Sequence, residues 1–267
     1  MRLRYYQVDA FTGSLFAGNP AGVCPLDGWL PDQTLQRIAA ENNLSETAFL
    51  VATDGGYDLR WFTPAVEVDL CGHATLASAF VLFTELGLPG PRVRFHTRSG
   101  SLTAERRADL IELDFPARPP APCAAPEDLL RGLGRPPREV LKSRDYMAVY
   151  DAQADVAALR PDMALLARLD CLGIIATAPG KDADFVSRFF APKAGVPEDP
   201  VTGSAYSTLI PFWAERLRKT DLFARQISRR GGELHCRHLG ERVGIGGRAV
   251  IYSRAELELG DQQPQVS

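Results

Sequence analysis

The chain has 267 residues, enough for two domains of ordinary size, and is 45% hydrophobic and 24% charged, a usual globular balance. Its formal net charge of −3, with arginines scattered rather than clustered, excludes a broadly basic nucleic-acid-binding surface. Five widely spaced cysteines (24, 71, 123, 171 and 236) lack any CxxC, so reduced thiols in a cytoplasmic setting are expected rather than a disulfide frame or a zinc site.

Met1-Arg2-Leu3-Arg4-Tyr5 leads directly into a strand-like run over 4–9, so no secretory signal is expected. A helix follows over 31–42, with Pro31 near its start, then strands over 48–53 and 57–62. An apolar helix is predicted over 73–86, then strands over 92–97, 100–106 and 109–115. Proline density from Pro116 to Pro126 cannot continue a helix or a central strand and predicts a semi-rigid extended linker. Beyond it, a short helix is expected over 127–133, strands over 138–142 and 146–150, and a helix over 161–168. Strands over 172–178 and 184–190 precede a second apolar helix over 203–218. Strands over 224–229, 232–238, 241–247 and 249–254 complete the order, and 261–267 reads as a frayed tail. Val243-Gly244-Ile245-Gly246-Gly247 suggests a dinucleotide loop, but a strand follows it instead of a helix, so a tight hairpin is the expectation. His235, Cys236 and His238 are metal-ligating types, yet their alternation fits an ordinary strand, and no metal site is predicted.

One pattern occurs twice, about half a chain apart. Arg60-Trp61-Phe62-Thr63-Pro64 is answered by Arg188-Phe189-Phe190-Ala191-Pro192, and Gly72-His73-Ala74 by Gly203-Ser204-Ala205. That spacing predicts two similar lobes rather than a solenoid. Each second half of the pattern opens a helix that is apolar on nearly every face. Such a helix must be enclosed, and at about 15 residues it is too short to cross a bilayer. The expectation is an α+β fold with one buried helix per lobe, wrapped by strands. Helix N-termini carry unpaired N–H groups and a positive dipole end. If the lobes face each other, both ends meet in one cleft suited to a carboxylate-bearing small molecule.

Four polar residues stand in glycine-rich or turn contexts near those helices: Glu46, His73, Asp199 and Ser204. Each also has an ordinary role open to it. His73, Asp199 and Ser204 suit a helix start or turn, and Glu46 a surface position after a helix end. A desolvated carboxylate beside a histidine and an anion pocket suits proton transfer at carbon. With no metal, phosphate or redox motif visible, the implied class is cofactor-free isomerisation or epimerisation. A metabolite-binding or interaction protein that keeps the cleft without turnover is the alternative.

Asp9-Ala10-Phe11-Thr12, Gly18-Asn19-Pro20-Ala21-Gly22-Val23, Asn43-Leu44-Ser45-Glu46-Thr47-Ala48-Phe49, Cys71-Gly72-His73-Ala74-Thr75 and Glu198-Asp199-Pro200-Val201-Thr202-Gly203-Ser204-Ala205 follow in order. On these segments the chain resembles the phenazine-biosynthesis isomerase (PhzF-like) family over nearly its whole length. The resemblance implies a diaminopimelate epimerase-like fold of two pseudo-symmetric lobes, each a strand barrel around a central helix, and a homodimer. With the proline-rich linker as the boundary, the lobes are expected at 1–117 and 118–267, with the last strand free to return to the first lobe. Well-studied members isomerise trans-2,3-dihydro-3-hydroxyanthranilate without a cofactor. Carried over motif by motif, Glu46 becomes the proton shuttle, and His73, Asp199 and Ser204 place and polarise the substrate. Ser45, Gly72, Gly203, Asn19 and Tyr206 become substrate-binding residues. Two-thiol racemases share this fold, but Cys71 before Gly72 is matched by Thr202 before Gly203. One thiol and one threonine do not supply two matched thiol bases. Tyr206 stands where many relatives have histidine, a departure that bears on substrate choice if it reaches the pocket.

Overall fold

The computed structural model describes residues 1–260, and the tail expected over 261–267 lies outside the described residues. The fold is α+β, mostly strand, arranged as two lobes with the same plan. In the first lobe, Arg2–Ala10 lies between Ala249–Glu258 and Asn19–Leu26, antiparallel to both. Asn19–Leu26 runs parallel to Glu46–Thr53, which turns antiparallel to Gly56–Phe62. Gly56–Phe62 is parallel to Arg92–Thr97, and Gly100–Arg107 and Leu110–Pro116 complete the run antiparallel. In the second lobe the run is Ala121–Pro122, Glu139–Lys142, Tyr146–Val149, Ile174–Pro179, Phe185–Ala191, Asp221–Gln226, Gly232–Leu239 and Arg242–Gly247. Parallel and antiparallel partners follow in the same order in both runs. Leu110–Pro116 pairs antiparallel with Arg242–Gly247 and joins the two lobes.

Parallel neighbours need a crossover, and these crossovers are the helices. Asp32–Asn42 and Gly72–Thr84 serve the first lobe, and Gln153–Ala158 with Met163–Leu166, then Tyr206–Leu217, serve the second. Gly72–Thr84 is buried along nearly its whole length and packs on strands of its own lobe, including Arg2–Ala10, Asn19–Leu26 and Leu110–Pro116. Its few hydroxyls are satisfied inside the helix: Thr75 Oγ1 donates to Cys71 O (2.5 Å) and Ser78 Oγ to Ala74 O (2.7 Å). Tyr206–Leu217 is enclosed in the same way by the second lobe.

The duplicated arginine has a structural task. Arg60 grips Glu67 with two hydrogen bonds of 2.7 Å, and Arg188 grips Glu198 at 2.7 and 2.9 Å. Each guanidinium also lies over a phenylalanine of its own motif, Phe62 or Phe190. The fork ties each strand to the segment that leads into the core helix.

Several expectations are corrected. Asn19–Leu26 is a strand that the sequence reading passes over, because its Asn, Pro and Gly mask a short run of strand formers; Pro20 is tolerated at the strand start. Gln153–Ala158 is an unexpected helix, and the helix expected over 161–168 shrinks to Met163–Leu166, capped by Asp162. The helix expected from 203 begins as a 3-10 turn, Gly203–Ala205, and becomes α-helical at Tyr206. The proline-rich segment is extended, and Ala121–Pro122 adds to a sheet edge. No hairpin forms at Gly246-Gly247: Arg242–Gly247 pairs with Gly232–Leu239, whereas Ala249–Glu258 pairs with Arg2–Ala10. The chain changes lobe at Arg248.

Candidate active site

The two core helices meet end to end at two glycines. A Cβ built on Gly72 would lie 3.1 Å from the Gly203 Cα, and one on Gly203 would lie 3.2 Å from the Gly72 Cα. Only residues without side chains let the two backbones approach this closely. Beside this junction is a cavity of about 460 Å³. Ser45, Glu46, Gly72, His73, Asp199, Gly203 and Ser204 all line it, together with Cys71 and Thr202.

Glu46 opens the strand Glu46–Thr53, just past a helix that ends in left-handed Asn43. Its Oε2 lies 3.1 Å from Nε2 of His73. The contact is not aligned as a hydrogen bond, and both atoms are buried with no other partner. His73 is 4% exposed. Its other nitrogen, Nδ1, faces Nδ2 of Asn19 at 3.2 Å and Sγ of Cys71 at 3.5 Å. The two Asn19 amide protons go to Asp199 and Val201, so the Cys71 thiol is the donor facing Nδ1; when the ring is neutral, Nδ1 accepts from it and Nε2, toward Glu46, carries the ring proton. Burial by itself lowers the His73 pKa, but its interactions with Cys71 and Glu46 outweigh it and the net direction is up, which favours a protonated ring beside the Glu46 carboxylate. Burial, joined by the Glu46 charge, pushes the Cys71 thiol up to about 11. A thiol so raised is uncharged near neutrality and poorly suited to act as a base.

Asn19 is fully buried and does not line the cavity. Its Nδ2 donates to Asp199 Oδ1 (2.8 Å) and to the Val201 carbonyl (2.9 Å), and its Oδ1 accepts from Ser45 Oγ (3.3 Å). It therefore ties the lobes together behind the site instead of meeting a ligand, which corrects its expected substrate contact. Asp199 accepts a second hydrogen bond from Thr202 Oγ1 at 2.5 Å. Thr202 and Asp199 are fixed in turn by Gln226, whose Oε1 accepts from Thr202 N and whose Nε2 donates to Asp199 O.

Tyr206 is corrected too. It is fully buried in the second lobe, its hydroxyl paired with Ser187 Oγ at 3.0 Å and its ring beside Phe185. It does not line the cavity. One helical position past the 3-10 turn, its side chain points into the core of its own lobe.

Among the cavity residues that escaped the sequence reading are two arginines, Arg118 and Arg144. Arg144 donates through Nε and Nη2 to Asp145 Oδ2, and its Nη2 also reaches Ser204 Oγ at 3.2 Å. An arginine only donates, so Ser204 accepts here and keeps its own O–H free for the cavity. Neither arginine sits in a repeated or glycine-rich motif, so sequence alone gives no signal for them.

Glu46, Cys71 and His73 each offer a ligand atom, all within 4.8 Å of one another. The two ring nitrogens face different members, Nδ1 the thiol and Nε2 the carboxylate. His235 and Cys236 are neighbours on one strand and point to opposite faces.

Among the described residues no helix is long and apolar enough to cross a membrane. The profile of a family described as phenazine biosynthesis-like protein matches residues 8–255. An uncharacterized isomerase of Pseudomonas aeruginosa is 56% identical over 259 residues, covering 97% of this chain and all of that protein. The crystal structure of a PhzF-family phenazine biosynthesis protein from Enterococcus faecalis superposes with a TM-score of 0.95 at 45% identity, over 97% of this chain and all of that one. A hydroxyproline epimerase from Agrobacterium vitis shares the fold, with a TM-score of 0.61 at 14% identity over 97% of this chain and 93% of that one.

Proposed function

The chain belongs to the phenazine biosynthesis-like protein family, and from that premise we propose that it is a cofactor-independent isomerase that moves a proton within a small carboxylated substrate. The observation that carries the reading is the buried pair of unpartnered atoms, Glu46 Oε2 and His73 Nε2, facing each other in a cavity at two helix N-termini. Two buried polar atoms whose one contact is a misaligned pairing with each other invite a ligand that completes them. The substrate carboxylate lies against the backbone N–H groups of His73 and Ser204, which helix ends leave free, and takes the Ser204 hydroxyl proton. Glu46 then removes a proton from one carbon and returns it to another. His73 holds its Nε2 proton toward Glu46 and orients the carboxylate, and Asp199 carries the opposing charge on the second-lobe side. Thr202 holds the second-lobe position that answers Cys71, and both line the cavity, so two-base racemisation lacks its second thiol. A second copy of the chain is the proposed partner, to be checked by light scattering.

The test is turnover of a cyclic or aromatic-like carboxylate in D₂O. Glu46→Gln should lower the rate by about 10²–10⁴-fold, the usual worth of general acid–base assistance, and abolish deuterium uptake while binding persists. Cys71→Ala should be mild. An active Glu46→Gln with a dead Cys71→Ala would transfer the role to the thiol. Tight binding of carboxylates with no turnover of any would favour a binding protein.

A further inference from the structure

The two arginines on the cavity wall differ in how their charge is spent. Arg144 is neutralised by Asp145, which is 3% exposed and whose second oxygen accepts from Gly173 N at 3.0 Å. Its remaining effect is to orient Ser204. The Arg118 guanidinium, among the described residues, has neither a carboxylate nor a hydrogen-bond acceptor from the protein, and it too lines the cavity.

Its backbone, by contrast, is firmly placed. Ala117 N donates to Glu241 O and Arg118 N to Ser207 O, both at 2.8 Å. The second bond depends on a proline. Ser207 lies in the first turn of Tyr206–Leu217, and its carbonyl would ordinarily accept from the N–H of residue 211. Residue 211 is Pro211, which has none. The vacated acceptor is taken by Arg118, so the interlobe segment is fastened to the helix whose start forms the site. Pro119 and Pro120, next in the chain, stiffen the rest of that segment.

We propose that Arg118 is the seat for a second anionic group, and that the natural substrate is a dianion: one carboxylate at the helix ends and Ser204, another anionic group at Arg118. This rests on the cavity being the substrate site of the proposed isomerase. The helix ends and Ser204 suffice for a single carboxylate, and Arg144 has its counter-charge. Arg118 is the cation on the wall with no carboxylate within ion-pair distance, although Asp69 lines the same cavity, and because its backbone is fixed the order lost on gripping an anion is that of the side chain alone.

Calorimetric titration with benzoate, phthalate and isophthalate tests this. At least one dicarboxylate should bind the full chain about tenfold or more tightly than benzoate, the worth of one charge-assisted hydrogen bond. Arg118→Gln should reduce that preference to about threefold or less, and Arg118→Lys should keep part of it. Thermal melts would show that both variants are folded. If benzoate binds but no dicarboxylate exceeds it, or if the preference survives in Arg118→Gln, the second seat is refuted while the carboxylate site stands. If none of the three binds the wild-type chain, the carboxylate reading falls and takes this inference with it.

Discussion

Asp199 is pulled in both directions by its surroundings. Burial, joined by the Glu46 charge, raises its carboxyl to about 6, against His73 and the hydrogen bonds from Thr202 and Asn19. An unfolded aspartate titrates near 4. Its folded pKa is therefore the higher one, and the native state holds the proton more tightly. The stability this gives is fully present below about pH 4 and is lost as pH rises through about 6. Asp199→Asn cannot ionise and removes that component. Wild type should therefore lose stability relative to Asp199→Asn between about pH 4 and 6. Denaturant melts of both proteins across that window check the sign, and a wild type that gains stability relative to the variant would contradict it. The motif around Asp199 was readable in the sequence, but its pairing with Asn19 was not, because 180 residues separate them.

At the scale of elements, each core helix is defined by its first turn. Gly72 and Gly203 set the approach of the lobes, and an added methyl at either must displace the facing backbone by a few tenths of an ångström. Gly203→Ala should thus keep the fold and lower turnover more than it lowers melting temperature, since the groups around the junction must stay in register. A disproportionate loss of stability, with activity retained, would mean the junction is only packing. Pro211 offers a second check. Pro211→Ala supplies an N–H to the Ser207 carbonyl and competes with Arg118. The Arg118 amide should then exchange with solvent about fivefold faster, a competition worth about 1 kcal/mol. Unchanged protection would show that the interlobe segment is held by other contacts. The sequence marked both helices by their all-round apolarity; it placed the second start three residues early because a 3-10 turn and a helix turn have the same residue preferences.

Across the whole molecule, the first lobe depends on the end of the chain. Ala249–Glu258 pairs along Arg2–Ala10, and without it that strand keeps one neighbour of two. We therefore propose that residues 1–117 do not form an independent unit, although the linker begins there. A chain ending at Arg248 should lose its cooperative thermal transition, followed by circular dichroism, because a bare strand edge and the apolar surface under it become exposed. A transition close to that of the full chain would show that the first lobe closes without its last strand.

Residue order by itself determined the α+β class, the two lobes, the enclosed helices and Ser45, Glu46, Gly72, His73, Asp199, Gly203 and Ser204 as a group that lines one cavity. These are local or repeated signals: apolar periodicity, small residues at a helix start, and a pattern written twice. Tertiary structure decided the rest. It withdrew Tyr206 and Asn19 from the cavity, because which face of an element meets a ligand depends on what packs behind it. It brought in Arg118 and Arg144, whose neighbours in sequence say nothing of the distant groups they approach. It also fixed the pairing of the last strand with the first, a return left open on the sequence because no local preference encodes contacts between chain ends.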